Sequence, residues 1–144
     1  MTNETLPTGG TREIQVSADI AGLDKGRDFV VNSLLDLGAD SETTFALTTS
    51  YLELFENLIN HGYSGRAGRA VVEIEADEKA AKIKVIDTAR EFNILEYKDP
   101  GQLDMIKRGI TGKMGIKTIM ALCDEVLYSR EAGRNKYVLC RNRR

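Results

Sequence analysis

The sequence predicts an α/β (α+β) two-layer sandwich, a mixed, largely antiparallel sheet with helices on one face. Three observations lead there. Short segments with alternating apolar residues come in pairs joined by turn-like connections; two long segments repeat their apolar residues at helical spacing instead; and the order runs strand, helix, helix, strand, strand, loop, helix, strand, strand. With 144 residues, 42% hydrophobic and 29% charged, the chain has the size and composition of one globular core. Residues 1 to 11 are expected to be a flexible lead-in and residues 12 to 144 a single domain.

From Arg12 to Asp19, Ile14, Val16 and Ala18 alternate as in a half-buried strand. From Asp24 to Leu37 the period changes, with Phe29, Val30, Leu34 and Leu37 at helical spacing and Gly38 as a stop. Ser41 to Asn60 is the longest helical candidate, with Asp40 or Ser41 as N-cap and Gly62 as terminator; its apolar residues occupy several sides, so it should lie centrally. Ala70 to Glu75 and Lys82 to Asp87 suit an antiparallel hairpin. Thr88 to Gly112, interrupted by Pro100-Gly101, is long for a connection and suggests a functional lid. A helix from Met114 to Leu122 follows. Strands Glu125 to Arg130 and Lys136 to Cys140 close the chain, joined by a tight connection centred on Gly133-Arg134-Asn135.

A net charge of −2 excludes the broad electrostatic pull of a nucleic-acid or anionic-lipid binder. The basic end, Arg141-Asn142-Arg143-Arg144, reads as a solvated, frayed tail. No apolar run is long enough to cross a bilayer, and Met1 to Thr11 lacks the apolar core of a secretion signal, so a cytoplasmic protein is expected. Cys123 and Cys140 lack metal-ligand spacing and read as small buried hydrophobes. There is no internal repeat and no Walker-type glycine loop.

The chemistry concentrates in Glu53, Asn57 and His61, each four residues after the last on a helix otherwise made of Leu52, Leu54, Phe55, Leu58 and Ile59. Steps of four advance about 400° on an α-helix, so these side chains form one drifting polar stripe flanked by core residues. A carboxylate in such surroundings needs a compensating cation, metal or hydrogen bond. Two explanations are open at this point. Glu53 and Asn57 bond backbone or each other while His61 sits at a helix C-terminus, or a polar ligand meets this face.

The run Glu53-Leu-Phe-Glu-Asn57-Leu-Ile-Asn-His61-Gly62-Tyr63 resembles the N box of the GHKL ATPase and kinase superfamily, and most resembles its branch of anti-sigma-factor serine kinases. Two later segments fall where that family has its glycine boxes. Val85-Ile86-Asp87-Thr88-Ala89-Arg90-Glu91-Phe92-Asn93 is similar to the first; Gly109-Ile110-Thr111-Gly112-Lys113-Met114-Gly115-Ile116-Lys117 is similar to the second. The resemblance covers nearly all of Ile14 to Leu139. It implies a Bergerat-type ATP-binding fold, with Asn57 as an oxygen ligand of Mg²⁺, a hard cation that favours such donors. It also implies Glu53 as general base toward a protein hydroxyl, Asp87 as acceptor for the adenine amine, and His61 near the phosphates or in a packing role. The amides from Thr111 through Gly112, Lys113 and Met114 to Gly115 would face the phosphates at a helix N-terminus.

The match departs from the family at Ala89 and Lys113, where glycine is common, and at Arg90-Glu91, where small residues or proline are. An added Cβ at position 89 is expected either to crowd the base or to restrict the loop. The resemblance implies an anti-sigma factor that uses ATP and Mg²⁺ to phosphorylate a STAS-type anti-anti-sigma protein, sequesters a sigma factor and pairs into a homodimer. The alternative, favoured by Ala89 and Lys113, is a non-catalytic module of the same fold that regulates a partner by binding alone. The catalytic half of a histidine kinase is the weakest match, because His61 is the only histidine and lies inside the N box.

Overall fold

The computed structural model describes residues 10–64, 66–96 and 112–143, with backbone alone at 96 and 112–114. Its sheet contains β1 (Gly10–Ser17), β2 (Arg69–Ala76), β3 (Ala80–Asp87), β4 (Glu125–Glu131) and β5 (Arg134–Asn142), in the order β1-β2-β3-β5-β4. Every neighbouring pair is antiparallel, so the sheet expected to be largely antiparallel is antiparallel throughout: each strand joins a hairpin or returns beside the edge of one. Helices α1 (Ile20–Asp36), α2 (Ser41–Asn57) and α3 (Gly112–Leu122) complete the described layers.

Alternation in β2 and β3 decides which face is covered. Ala70, Val72, Ile74 and Ala76 of β2, with Ala81, Ile83, Val85 and Asp87 of β3, are all buried. The residues between them stay half-exposed, and there Lys84 reaches Glu73 at 3.5 Å and Glu75 at 3.2 Å. On the covered face, α2 contributes Leu47, Tyr51, Leu54 and Phe55 to the core, α1 contributes Val30 and Leu34, and α3 contributes Ile116 and Ile119.

Several boundaries differ from expectation for definite reasons. Strand β1 begins at Gly10, so Gly10 and Thr11 of the expected lead-in are paired with Ala76 and Glu75. Helix α1 begins at Ile20 because the Asp19 side chain accepts the Gly22 amide at 2.8 Å. Gly22 weakens the helical pattern, yet a Cβ there would run into the Ser17 carbonyl where β1 meets α1. Helix α2 is capped by Asp40, which accepts the Thr43 amide at 2.7 Å. It ends at Asn57 rather than Asn60, and Leu58–Gly62 continue as a π-helical turn.

The β4–β5 connection is shorter than expected. Ala132 and Gly133 alone form it, with φ of 52° and 75°, the pair of positive values that a two-residue hairpin turn demands. Arg134 and Asn135 therefore belong to β5. The basic tail is also corrected: Arg141 is 8% exposed, pairs with Ala81 in the sheet, donates to the Leu122 carbonyl at 2.8 Å and meets Glu42 at 2.7 Å. Arg143 donates to the carbonyls of Asp77 and Gly38. Cys140 is buried and Cys123 partly so, its Sγ 3.5 Å from Ser50 Oγ, and neither forms a disulfide.

Candidate functional site

Helix α2 delivers Glu53 and Asn57 to one face. Asn57 is 2% exposed, and its amide nitrogen donates to the Glu53 carbonyl at 2.9 Å. That bond fixes the amide's orientation, with the nitrogen spent on the helix. Glu53 is half-buried, and its carboxyl is pushed above the usual range, first by burial and then by the negative charge of Glu56. The π-helical turn interrupts the expected four-residue stripe, so His61 is displaced from the Glu53–Asn57 line and is exposed. Asn57 and His61 nevertheless border the same cavity, about 340 Å³, together with Arg90, Glu91 and Phe92.

A second cluster is built on the sheet. Asp87 ends β3, 2% exposed, in cross-strand register with Ala70 on one side and Asn135 on the other; Asn135 in turn faces Arg130 of β4. One carboxylate oxygen, Oδ1, accepts from the Ala89 amide at 2.9 Å and the Asn135 side-chain amide at 2.8 Å. The other, Oδ2, is buried without a partner. Burial raises the Asp87 pKa, and the Asn135 and Ala89 hydrogen bonds oppose that shift. An unpartnered buried acceptor is costly, and a bound donor removes the cost.

The loop after Asp87 is held from three sides. Asn135 Nδ2 also donates to the carbonyls of Ala89 at 3.1 Å and Arg90 at 3.0 Å; Arg130 donates to the Ala89 carbonyl at 3.1 Å. Tyr137 donates to the Phe92 carbonyl at 2.7 Å. From the α2 side, the Tyr63 hydroxyl donates to the Arg69 carbonyl at 2.8 Å and accepts the Thr88 amide at 3.1 Å, joining the end of the polar helix to the residue after Asp87.

Ala89 does not need the conformation that favours glycine, since among the described non-glycine residues only Ser64 and Ala132 have positive φ. Its methyl lies 3.1 Å from where a Cβ on Gly62 would stand. The Ala89 methyl thus stands in space that the missing side chain of Gly62 leaves open.

Of the third segment, Thr111 lies outside the described residues, as do Gly109 and Ile110; so does most of the expected lid. Gly112, Lys113 and Met114 open α3. Gly115 is buried against Glu53: a Cβ on it would overlap the carboxylate and lie 3.1 Å from Glu53 Cδ and 3.2 Å from its Cβ. The first turn of α3 thus packs directly on the Glu53 side chain.

The structure therefore brings Glu53, Asn57 and Gly115 together, and separately Asp87, Ala89 and Asn135, with His61 at the cavity between helix and loop. Residues that sequence reasoning missed are Asn135, Arg130, Tyr128 and Tyr137. The period-two pattern of β5 was the available signal: Asn135, Tyr137 and Leu139 share the buried face. Among the described residues no group of three or more His, Cys, Asp or Glu could hold a metal ion, and no helix is long and apolar enough to cross a membrane.

The family model described as "Histidine kinase-like ATPase domain" matches residues 16–141. Among curated proteins no sequence matches significantly. A solved structure with a similar fold is that of the RsbU and RsbW domains of Rv1364c from Mycobacterium tuberculosis, with a TM-score of 0.64 and 22% sequence identity. The match covers 94% of this chain and 33% of that one, so the chain spans about a third of its length.

Proposed function

Since the chain belongs to the histidine kinase-like ATPase domain family, the GHKL superfamily, we propose that it is an ATP-dependent serine/threonine protein kinase of the anti-sigma type. The observation that carries the nucleotide part is Asp87, a buried carboxylate with one oxygen saturated and the other without a partner. A 6-amino purine supplies the missing donor. A 6-oxo purine places an acceptor there instead, and such mismatches at buried polar groups are strongly rejected.

On the helix side, Asn57 offers an amide oxygen of the kind Mg²⁺ prefers, its nitrogen already committed to the Glu53 carbonyl. Mg²⁺ bound there supplies charge neutralisation on the phosphates. Glu53 is assigned the proton of the attacking serine or threonine hydroxyl, a role suited to a carboxyl whose pKa is raised toward neutrality. His61, the Thr111 amide and the opening amides of α3 at Gly112, Lys113, Met114 and Gly115 are assigned to the phosphate side. The protein substrate proposed from the motif resemblance is a serine on a STAS-type anti-anti-sigma protein. A sigma factor is the second partner, in a cytoplasmic homodimer made of one ATP-binding domain per chain.

The test is nucleotide titration with and without Mg²⁺, followed by phosphate transfer to a STAS-type protein. Wild type is expected to bind ATP; Asp87→Asn abolishes binding and Asn57→Ala weakens its Mg²⁺ dependence. Glu53→Ala retains binding within about twofold and loses roughly 10²- to 10⁴-fold in transfer, the usual range for a general base. Unchanged transfer in Glu53→Ala removes that residue from the mechanism. Absence of nucleotide binding in wild type favours the second reading, a module that regulates its partner by docking alone.

A further inference from the structure

We propose that Asn135 is a positioning residue for base recognition, holding Asp87 so that Oδ2 is the single acceptor presented to the base. This inference rests on the nucleotide-site reading above. It concerns a residue outside the three motif segments, on the last strand.

Asn135 is 0% exposed and all of its side-chain bonding capacity is used. Nδ2 donates to Asp87 Oδ1 at 2.8 Å and to the carbonyls of Ala89 and Arg90; Oδ1 accepts from Tyr128 at 2.6 Å and Arg130 at 2.8 Å. The chemistry of these partners fixes the amide's orientation. Carbonyls cannot donate and a guanidinium cannot accept, so a flipped amide would set oxygen against oxygen and nitrogen against nitrogen.

Two consequences follow for the carboxylate. Oδ1 receives two N–H donors, one from Asn135 and one from the Ala89 amide, and is therefore closed to a ligand. The carboxylate cannot rotate about its Cβ–Cγ bond without breaking both, so Oδ2 keeps one direction and one role. The same amide also pins the Ala89 and Arg90 carbonyls. The residue that orients the acceptor thus fixes the loop bordering the cavity, and one substitution should disturb both.

A merely structural role for Asn135 predicts that its loss weakens every nucleotide alike. A positioning role predicts a change in discrimination, because a carboxylate free to rotate or to take a proton on either oxygen meets a 6-amino and a 6-oxo base on more equal terms. The experiment measures Mg-ATP and Mg-ITP affinities of wild type, Asn135→Ala and Tyr128→Phe at the same pH, with the Asp87 carboxyl titration followed by carbon-13 NMR in the free proteins.

Wild type is expected to prefer ATP. In Asn135→Ala the ATP:ITP affinity ratio falls by about tenfold or more, since the loss falls mainly on ATP. The Asp87 titration moves to higher pH, because a donor to the ionised form has gone. Tyr128→Phe removes one of the two donors to Asn135 Oδ1 and lowers the ratio in the same direction by less. If Asn135→Ala does not fold, Tyr128→Phe decides alone. A preserved ratio in the folded variants, or an unmoved Asp87 titration in Asn135→Ala, overturns the proposal while leaving the nucleotide-site reading intact. Failure of wild type to bind either nucleotide overturns both.

Discussion

The sheet side and the helix side of the candidate site are built on opposite principles. On the sheet side, Asp87 and the loop after it are fixed by side chains from β4, β5 and the segment after α2, and Asn135 alone reaches five partners, its two N–H groups shared among three acceptors. At the helix end, Glu53 and Asn57 are held by the backbone they sit on, with one bond from Asn57 to the Glu53 carbonyl, and by the absence of a side chain at Gly115. Recognition needs an acceptor in one fixed direction, which hydrogen bonds from several strands provide. Proton abstraction needs a carboxylate that changes protonation state, and an extensive hydrogen-bond network around it would work against that. The difference suggests that the sheet end should be sensitive to lost donors, and the helix end to added volume.

Gly115→Ala tests the volume side and carries the largest expected effect. The new methyl would occupy the position of the Glu53 carboxylate, so either the side chain turns away or the first turn of α3 moves off α2. Displacing a catalytic group by about an ångström costs on the order of 10²-fold in rate, and phosphate transfer should fall by that much. If the Glu53 side chain turns away and α3 stays in place, ATP affinity should fall far less than transfer, because neither the Asp87 carboxylate nor the α3 amides have moved. Equal losses in the two would show that the ends are not separable.

Asp87→Asn in the nucleotide-free protein is the second test, with a smaller effect on stability. Burial raises the carboxyl's pKa above 3.8, so between that value and its folded-state value the native state holds more protons than the unfolded one. Wild-type stability contributed by this group is therefore present at acid pH and lost as pH rises through the folded value. Asparagine has no such titration. The variant should gain on wild type as pH rises and melt a few degrees higher at neutral pH, even though it no longer binds nucleotide. A stability difference that does not change with pH would mean that Asp87 is ionised at no cost in the folded protein.

How much of this was legible follows the same division. Glu53, Asn57 and His61 stand out because spacing along one helix is a local property, and Asp87 is visible as the end of an alternating strand. Of the Asn135 network only the alternation of β5 left a trace, and the strand's start was misplaced. The turn before it is made by Ala132 and Gly133, both at positive φ, and alanine is not a residue that advertises that conformation, so Arg134 and Asn135 read as loop. Arg141 was missed for another reason: its partner Glu42 is 99 residues away, a distance at which no sequence period operates. The widened turn at Leu58–Gly62 was equally silent, since its residues continue the helical apolar pattern while the backbone changes pitch.

The finest test asks whether the helix end is tuned by charge as well as by volume. Glu56, exposed and one turn beyond Glu53, is the second cause of the raised Glu53 pKa, after burial. If Glu53 must lose its proton to act as base, transfer should rise with pH along an acid limb set by that raised value. Glu56→Gln removes the neighbouring charge and leaves burial unchanged, so the limb should move to lower pH while the plateau at higher pH stays within about twofold of wild type. Salt separates the two causes. An exposed charge is screened, so the difference between variant and wild type should shrink as ionic strength rises, whereas the part due to burial persists in both. A limb that Glu56→Gln leaves in place would assign the titration to a group other than Glu53. One that moves to higher pH would mean that Glu56 acts on Glu53 through something other than its charge.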